Sequence, residues 1–242
     1  MLCALLGFAA ITFFNVFRMD KYGISFFQMI IYYIFFFSFL FAVSKLFFAI
    51  GKIPEEGLSF ESFKENLIHG GIVFYGGLVG AMLGLVICTK ILRRDLRSSF
   101  DFFTPDVPLF HCIARVGCML SGCCYGKKWS WGIPNDDFPG VKLFPVQLIE
   151  SVCNLIIFIA IIVYTKKRSS NKYCLEIYLV SYGVCRFILE FFRGDKIRGV
   201  WGDGLSTSQH ISILMVLAVV IEAVILCGRN KKQNGEDDKN VI

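Results

Sequence analysis

The chain has 242 residues, 55% of them hydrophobic and only 18% charged, with a formal net charge of +6. A soluble domain averages about 45–50% apolar and about 25% charged, so these proportions exclude an ordinary soluble domain and point to a membrane protein. The positive charge is spread over loops, which marks topology and not nucleic-acid binding.

At about 20 apolar residues per crossing, this length holds about seven short-looped spans. The first apolar run, residues 1–17, has no basic start and no small-residue cleavage site, so it reads as a retained span and not a signal peptide. A polar turn from Arg18 to Lys21 leads to the second span, residues 26–50, rich in Phe and Ile. Residues 51–66 are polar, and Pro54 and Gly57 are expected to break helices there. The third span, residues 69–92, opens HGGIVFYGGLVGAMLG, a glycine ladder that suits close helix packing. Residues 90–99 form the most basic short loop. The fourth span, residues 102–125, is bent at its start by Pro105 and Pro108.

Residues 126–144 read as a polar loop carrying Trp129 and Trp131, aromatics of the kind found at membrane interfaces. The fifth span, residues 145–164, opens PVQLIES, and the sixth, residues 173–192, contains Glu176, Arg186 and Glu190. A Gly-rich loop over 193–207 precedes the seventh span, residues 208–227. The expectation is an all-α, polytopic membrane helical bundle, with one transmembrane domain over 1–228 and a disordered cytoplasmic polar tail over 229–242. Basic residues follow spans one, three, five and seven, which sets the N-terminus out and the C-terminus in. His69, Cys123, Cys124, Trp129, Gln147 and Arg193 then all fall at outer ends.

Arg115 is the charge that most needs a reason, because arginine in a membrane-depth segment marks a functional site by default. It either snorkels or pairs with a helix carboxylate, or binds a lipid phosphate through its planar fork. Arg193, just past the sixth span, is an interfacial anchor, or else a second phosphate clamp or a gate. Arg186 and Glu190 stand four apart and are expected to pair with each other. His69, beside Gly70 and Gly71, is a structural histidine or a proton carrier that titrates near neutrality. Glu150 is a first-turn helix acid or, with Gln147, a holder of the arginines.

Cys118, Cys123 and Cys124 admit three readings: small packing residues, a disulfide on an oxidising outer face, or a metal site with His111. The spacing C-x4-C-C is not a recognised zinc spacing, and the reading is no metal and no cofactor.

Several of these residues fall into ordered motifs. HGG stands at Gly70 and Gly71 behind His69. A-R-x-G-x-x-x-x-G-x-x-Y-G runs from Ala114 to Gly126. P-x-Q-L-x-E opens the fifth span, E-F-F-R closes the sixth, and S-x-x-Q-H follows at Ser206. In that order the chain resembles the prolipoprotein diacylglyceryl transferase family over residues 2–227. The resemblance implies a bacterial enzyme of the cytoplasmic membrane with its active site toward the outer leaflet. Such enzymes move the diacylglyceryl group of phosphatidylglycerol to the lipobox cysteine thiol of a preprolipoprotein, form a thioether and release glycerol phosphate. The partners it implies are phosphatidylglycerol, a lipobox-containing preprolipoprotein and the lipid bilayer, with no nucleic acid and no metal.

Carried over by position, Arg115 and Arg193 correspond to the two essential arginines, His69 to the histidine of the HGG motif and Gly126 to the closing glycine. Gly70, Gly71, Gln147, Glu150, Cys118 and Cys123 fall at substrate-binding positions. The chain departs from the family signature where Ala114, Cys118, Ser121 and Cys123 replace Gly, Asn, Asn and Glu. The outer segment that usually precedes the first span is also missing. Those departures keep alternatives open: a paralogue with another acceptor, an outer-face thiol oxidoreductase using the three cysteines, or a lipid-binding protein without turnover.

Overall fold

The computed structural model describes residues 2–57, 59–71, 73–135, 138–167, 173–194 and 204–237. In chain order it contains α1 (Leu2–Val16), a 3-10 turn (Met19–Tyr22), α2 (Phe26–Glu56), α3 (Phe60–His69) and α4 (Phe74–Ile91). There follow α5 (Leu96–Phe103), α6 (Asp106–Leu120), β1 (Lys128–Pro134), β2 (Lys142–Leu143), α7 (Val146–Lys167), α8 (Cys174–Glu190) and α9 (Thr207–Asp237). Among the described residues three helices are long and apolar enough to cross a membrane: Phe26–Ile53, Val146–Lys167 and Thr207–Cys227. Leu2–Val16 and Gly76–Ile91 are apolar but shorter. The fold is that of a mostly helical membrane protein.

Several boundaries differ from the sequence reading, each for a local reason. α2 opens on a capping box, in which the Gln28 amide bonds the Ser25 hydroxyl and the Ser25 amide bonds the Gln28 side chain. It then runs past Pro54 and stops only at Gly57, whose φ of 77° leaves the helical region. The stretch read as a loop goes on to form α3, so His69 closes a short helix and does not open a span. The fourth expected span is two helices, α5 and α6, separated at Thr104 and Pro105. The carbonyls freed by that break are met by Arg18, which donates to Phe102 O at 2.8 Å and Asp101 O at 3.2 Å. α5 also takes up the end of the basic loop, from Leu96 onward.

The polar loop over 126–144 is corrected too, since it contains an antiparallel two-stranded sheet. The fold is therefore not purely α. In a strand Trp129 and Trp131 fall on one face, and their rings meet edge-on at 5.7 Å. α9 continues to Asp237, so the first part of the tail read as disordered is helical. The rest of that tail, and residues 195–203 of the Gly-rich loop, lie outside the described residues.

The chain divides into two compact units. In the unit Phe14–Phe102, α2 packs against α3 and α4. The glycine ladder provides the approach: a Cβ on Gly80 would strike the Phe39 carbonyl, and one on Gly84 would lie 2.7 Å from the Phe35 carbonyl. Tyr32, fully buried, bonds Thr89 Oγ1 and Ser99 Oγ, both at 3.1 Å. In the other unit, Met1–Phe13 with Phe103–Ile242, α6 packs on α7, α7 on α8 and α8 on α9. Ile157, Ile161, Cys174 and Tyr178 form one buried cluster there, and Phe144, Val146 and Leu189 another. α9 begins with a second capping box, Ser206 with Gln209, so the S-x-x-Q of the motif is a helix start.

Candidate functional site

The site is built around Glu150, one turn into α7 and 1% exposed. It is not a first-turn acid satisfied by the helix dipole, because its carboxylate is taken up by neighbouring helices. Arg115 on α6 donates from Nη2 to Oε1 at 3.0 Å, and its Nε pairs with Oε2 at 3.0 Å. That is a two-point guanidinium–carboxylate pair, the strongest geometry available to these groups. Tyr182 on α8 donates its hydroxyl to Oε1 at 3.1 Å. Arg186 Nη1 lies 3.5 Å from Oε2, and His111 Nε2 3.7 Å from Oε1.

Arg186 also makes the expected pair with Glu190 at 2.7 Å and donates to Ser208 Oγ at 3.1 Å. Half-buried Arg115 and buried Arg186, Glu150 and Glu190 thus form a network with two positive and two negative charges. Balanced charge is the condition under which such groups survive out of water. The network fixes the Nε and Nη2 edge of Arg115 and leaves Nη1 with the Cys118 sulfur at 4.0 Å. A sulfur is a weak acceptor, so this edge retains its capacity for a stronger anion.

A second arginine is brought to the same end of α6 by backbone pairing. Gly126 bridges Arg193, Lys127 N donates to Phe192 O at 2.8 Å, and Gly194 N donates to Tyr125 O at 3.0 Å. Gly126 has to be glycine here, because a Cβ would strike the Phe144 carbonyl and lie 2.9 Å from Val146 Cγ2. Gln147 fastens the intervening turn by donating to the Cys123 carbonyl at 2.7 Å, and Asn135 bonds the Gly122 carbonyl at 3.1 Å.

Of the residues singled out from the sequence, Arg115, Arg193, Gly126, Gln147, Glu150, Cys118 and Cys123 belong to this one unit. His69, Gly70 and Gly71 belong to the other. There they line a cavity of about 410 Å³ with Phe48, Glu65 and Asn66. Gly70 and Gly71 admit the Phe48 ring, which would lie 2.5 Å and 3.1 Å from a Cβ at each.

Sequence reasoning missed Tyr182 and assigned His111 only to a metal reading. Tyr178, Tyr182, Arg186 and Glu190 recur every fourth residue, so they share one face of α8. That stripe was the available signal. The three cysteines converge as well: the Cys118, Cys123 and Cys124 sulfurs all lie within 4.8 Å of one another, and all three are free. Spacing alone could not show this, because Gly122 and Cys124, with φ of 69° and 59°, fold the segment back on the end of α6.

Comparison with known proteins adds a separate line of observation. The family model for prolipoprotein diacylglyceryl transferase matches residues 2–225. A Clostridium perfringens protein named phosphatidylglycerol–prolipoprotein diacylglyceryl transferase 2 is 31% identical over 172 residues, 69% of this chain and 66% of that protein. A Clostridium tetani protein named phosphatidylglycerol–prolipoprotein diacylglyceryl transferase is 32% identical, over 62% of each chain. A Clostridioides difficile protein of the same name is 31% identical over 71% of this chain and 68% of its own length. The chain thus spans about two thirds of these relatives, just under that for the first two.

Proposed function

The chain belongs to the prolipoprotein diacylglyceryl transferase family, and on that premise we propose that it transfers the diacylglyceryl group of phosphatidylglycerol to the lipobox cysteine thiol of a preprolipoprotein. The new bond is a thioether between the acceptor sulfur and the glycerol carbon. The bond that breaks joins that carbon to a phosphate oxygen, and glycerol phosphate departs with the negative charge. The acceptor thiol gives up its proton, since thiolate is the nucleophile. We place the reaction at the outer leaflet of a bacterial cytoplasmic membrane, with the N-terminus out. The seven crossings are α1, α2, α4, α6, α7, α8 and α9.

The observation that carries this reading is the half-satisfied Arg115. A guanidinium held on one edge by Glu150 and poorly partnered on the other suits an anion that gains charge during reaction. Arg193, tied through its backbone to Gly126 at the same end of α6, adds a second positively charged side chain. Gln147 and Glu150 position these groups, and Cys118 and Cys123 flank them. His69, which lines a cavity with Gly70 and Gly71, is the assigned proton acceptor.

The test is a transfer assay in purified membranes, supplying phosphatidylglycerol and a lipobox peptide, with the thioether product read by mass spectrometry. The intact chain yields product, and Arg115→Ala lowers the rate by ~100-fold or more, the usual scale for losing one such donor. Product formed equally well by Arg115→Ala would remove Arg115 from the mechanism. No product from the intact chain would leave a relative that uses another acceptor, or a lipid-binding protein.

A further inference from the structure

We propose that Cys118, Cys123 and Cys124 form a binding site for one thiophilic divalent metal ion of the zinc class. Their sulfurs already lie within 4.8 Å of one another. Zinc bonds thiolate sulfur at about 2.3 Å in tetrahedral geometry, which sets ligand sulfurs about 3.8 Å apart. The remaining gap is about 1 Å, within the reach of side-chain rotation. Thiolates select soft ions over magnesium or calcium.

The turn that presents the thiols is held in place as a ligand loop needs to be. Cys118 stands in the last turn of α6, and the chain reverses through Gly122 before delivering Cys123 and Cys124. Gln147 and Asn135 hold the carbonyls of Cys123 and Gly122 at 2.7 Å and 3.1 Å. Ser121 Oγ lies 3.4 Å from Cys123 Sγ, a polar contact to a ligand atom of the kind that orients metal sites.

Cys124 carries further weight because it occupies the left-handed region at φ 59°. A residue with a Cβ pays about 1–2 kcal/mol there relative to glycine. Glycine would serve the turn better, so the thiol is what that position retains.

Charge also fits. Three thiolates carry three negative charges, and a divalent ion leaves one. Arg115 Nη1, 4.0 Å from Cys118 Sγ, is the neighbouring positive group. Three protein ligands leave a fourth position open, the pattern of zinc sites that exchange a ligand. The site adjoins the arginine of the transferase reading, since Cys118 faces Arg115 Nη1, but its test uses no transfer assay, so the two readings fail separately.

The experiment titrates the full-length chain in detergent micelles, under a phosphine reductant, with Co²⁺ and separately with Cd²⁺. A sulfur-to-metal charge-transfer band should saturate at one ion per chain, and Zn²⁺ should displace the Co²⁺. Cys123→Ser and Cys124→Gly should abolish the band, whereas Cys227→Ser, on the exposed face of α9, should retain it. Cys124→Gly relieves the backbone, so without metal it melts no lower than the parent, which separates lost ligation from lost fold. Zn²⁺ should raise the melting temperature of the parent and leave that of Cys124→Gly unchanged. No band in the reduced parent, or the same band in Cys124→Gly, would overturn the site.

Discussion

Glu150 is one carboxylate shared by Arg115, Arg186 and Tyr182, so its removal is felt in two helices at once. Arg186 keeps Glu190 as a partner, but among the described residues Arg115 keeps only a sulfur. Leaving a buried charge unpaired costs about 3–5 kcal/mol. Deleting one hydroxyl donor costs about 1 kcal/mol. Glu150→Ala should therefore destabilise the protein several times more than Tyr182→Phe, as measured by unfolding in mixed micelles. Equal losses would mean that the acid is not the shared partner. At this scale the sequence was partly legible. The Arg186–Glu190 pair is written in their spacing. The link from Arg115 to Glu150 was not legible, because it crosses between helices and 35 positions of sequence.

Between elements, the packing of α4 on α2 depends on which glycines face the partner helix. A Cβ on Gly80 would strike the Phe39 carbonyl, which belongs to rigid helix backbone. A Cβ on Gly77 would meet Leu40 Cγ at 3.5 Å, ordinary contact with a side chain. Gly80→Ala should cost about 1–3 kcal/mol, the usual range for overpacking, and Gly77→Ala should be close to neutral. Parallel thermal melts of the two variants decide it; equal effects would mean that the close approach at Gly80 is not what limits packing. The ladder was legible as a packing device because small residues four apart line one face. α3 was not, because Pro54 and the glutamates nearby suggest a loop more strongly than ten residues suggest a helix. The β1–β2 pair was hidden for a related reason: β2 is two residues long and carries almost no pattern of its own.

Across the whole molecule, His69, proposed as the proton acceptor, and the arginines proposed to bind the anion belong to different compact units. His69→Ala should lower kcat by ~100-fold or more, the usual contribution of a general base, with little change in KM for lipid. Arg115→Ala should instead weaken both. Matching losses in both parameters for the two variants would merge the roles. Orientation is tested by the exposed thiols of Cys123 and Cys227. An impermeant maleimide added to intact cells should label Cys123 and spare Cys227, and the opposite pattern would invert the topology. Composition and hydropathy made the helical membrane class legible. The membership of His69 and of the arginines in different compact units was not, since motif order along a chain carries no information about which helices cluster.

The edge-on contact of Trp129 with Trp131, 5.7 Å apart and with planes at 88°, gives the molecule an optical signature. Two indoles this close share their excited states, and their skewed arrangement turns that sharing into a paired circular-dichroism band. Both rings also touch Phe144, and Trp129 touches Phe192 next to Arg193. The band therefore reports on the segment that carries Arg193 to its place. It offers a spectroscopic view of that segment in the unlabelled protein, with no substrate and no turnover required.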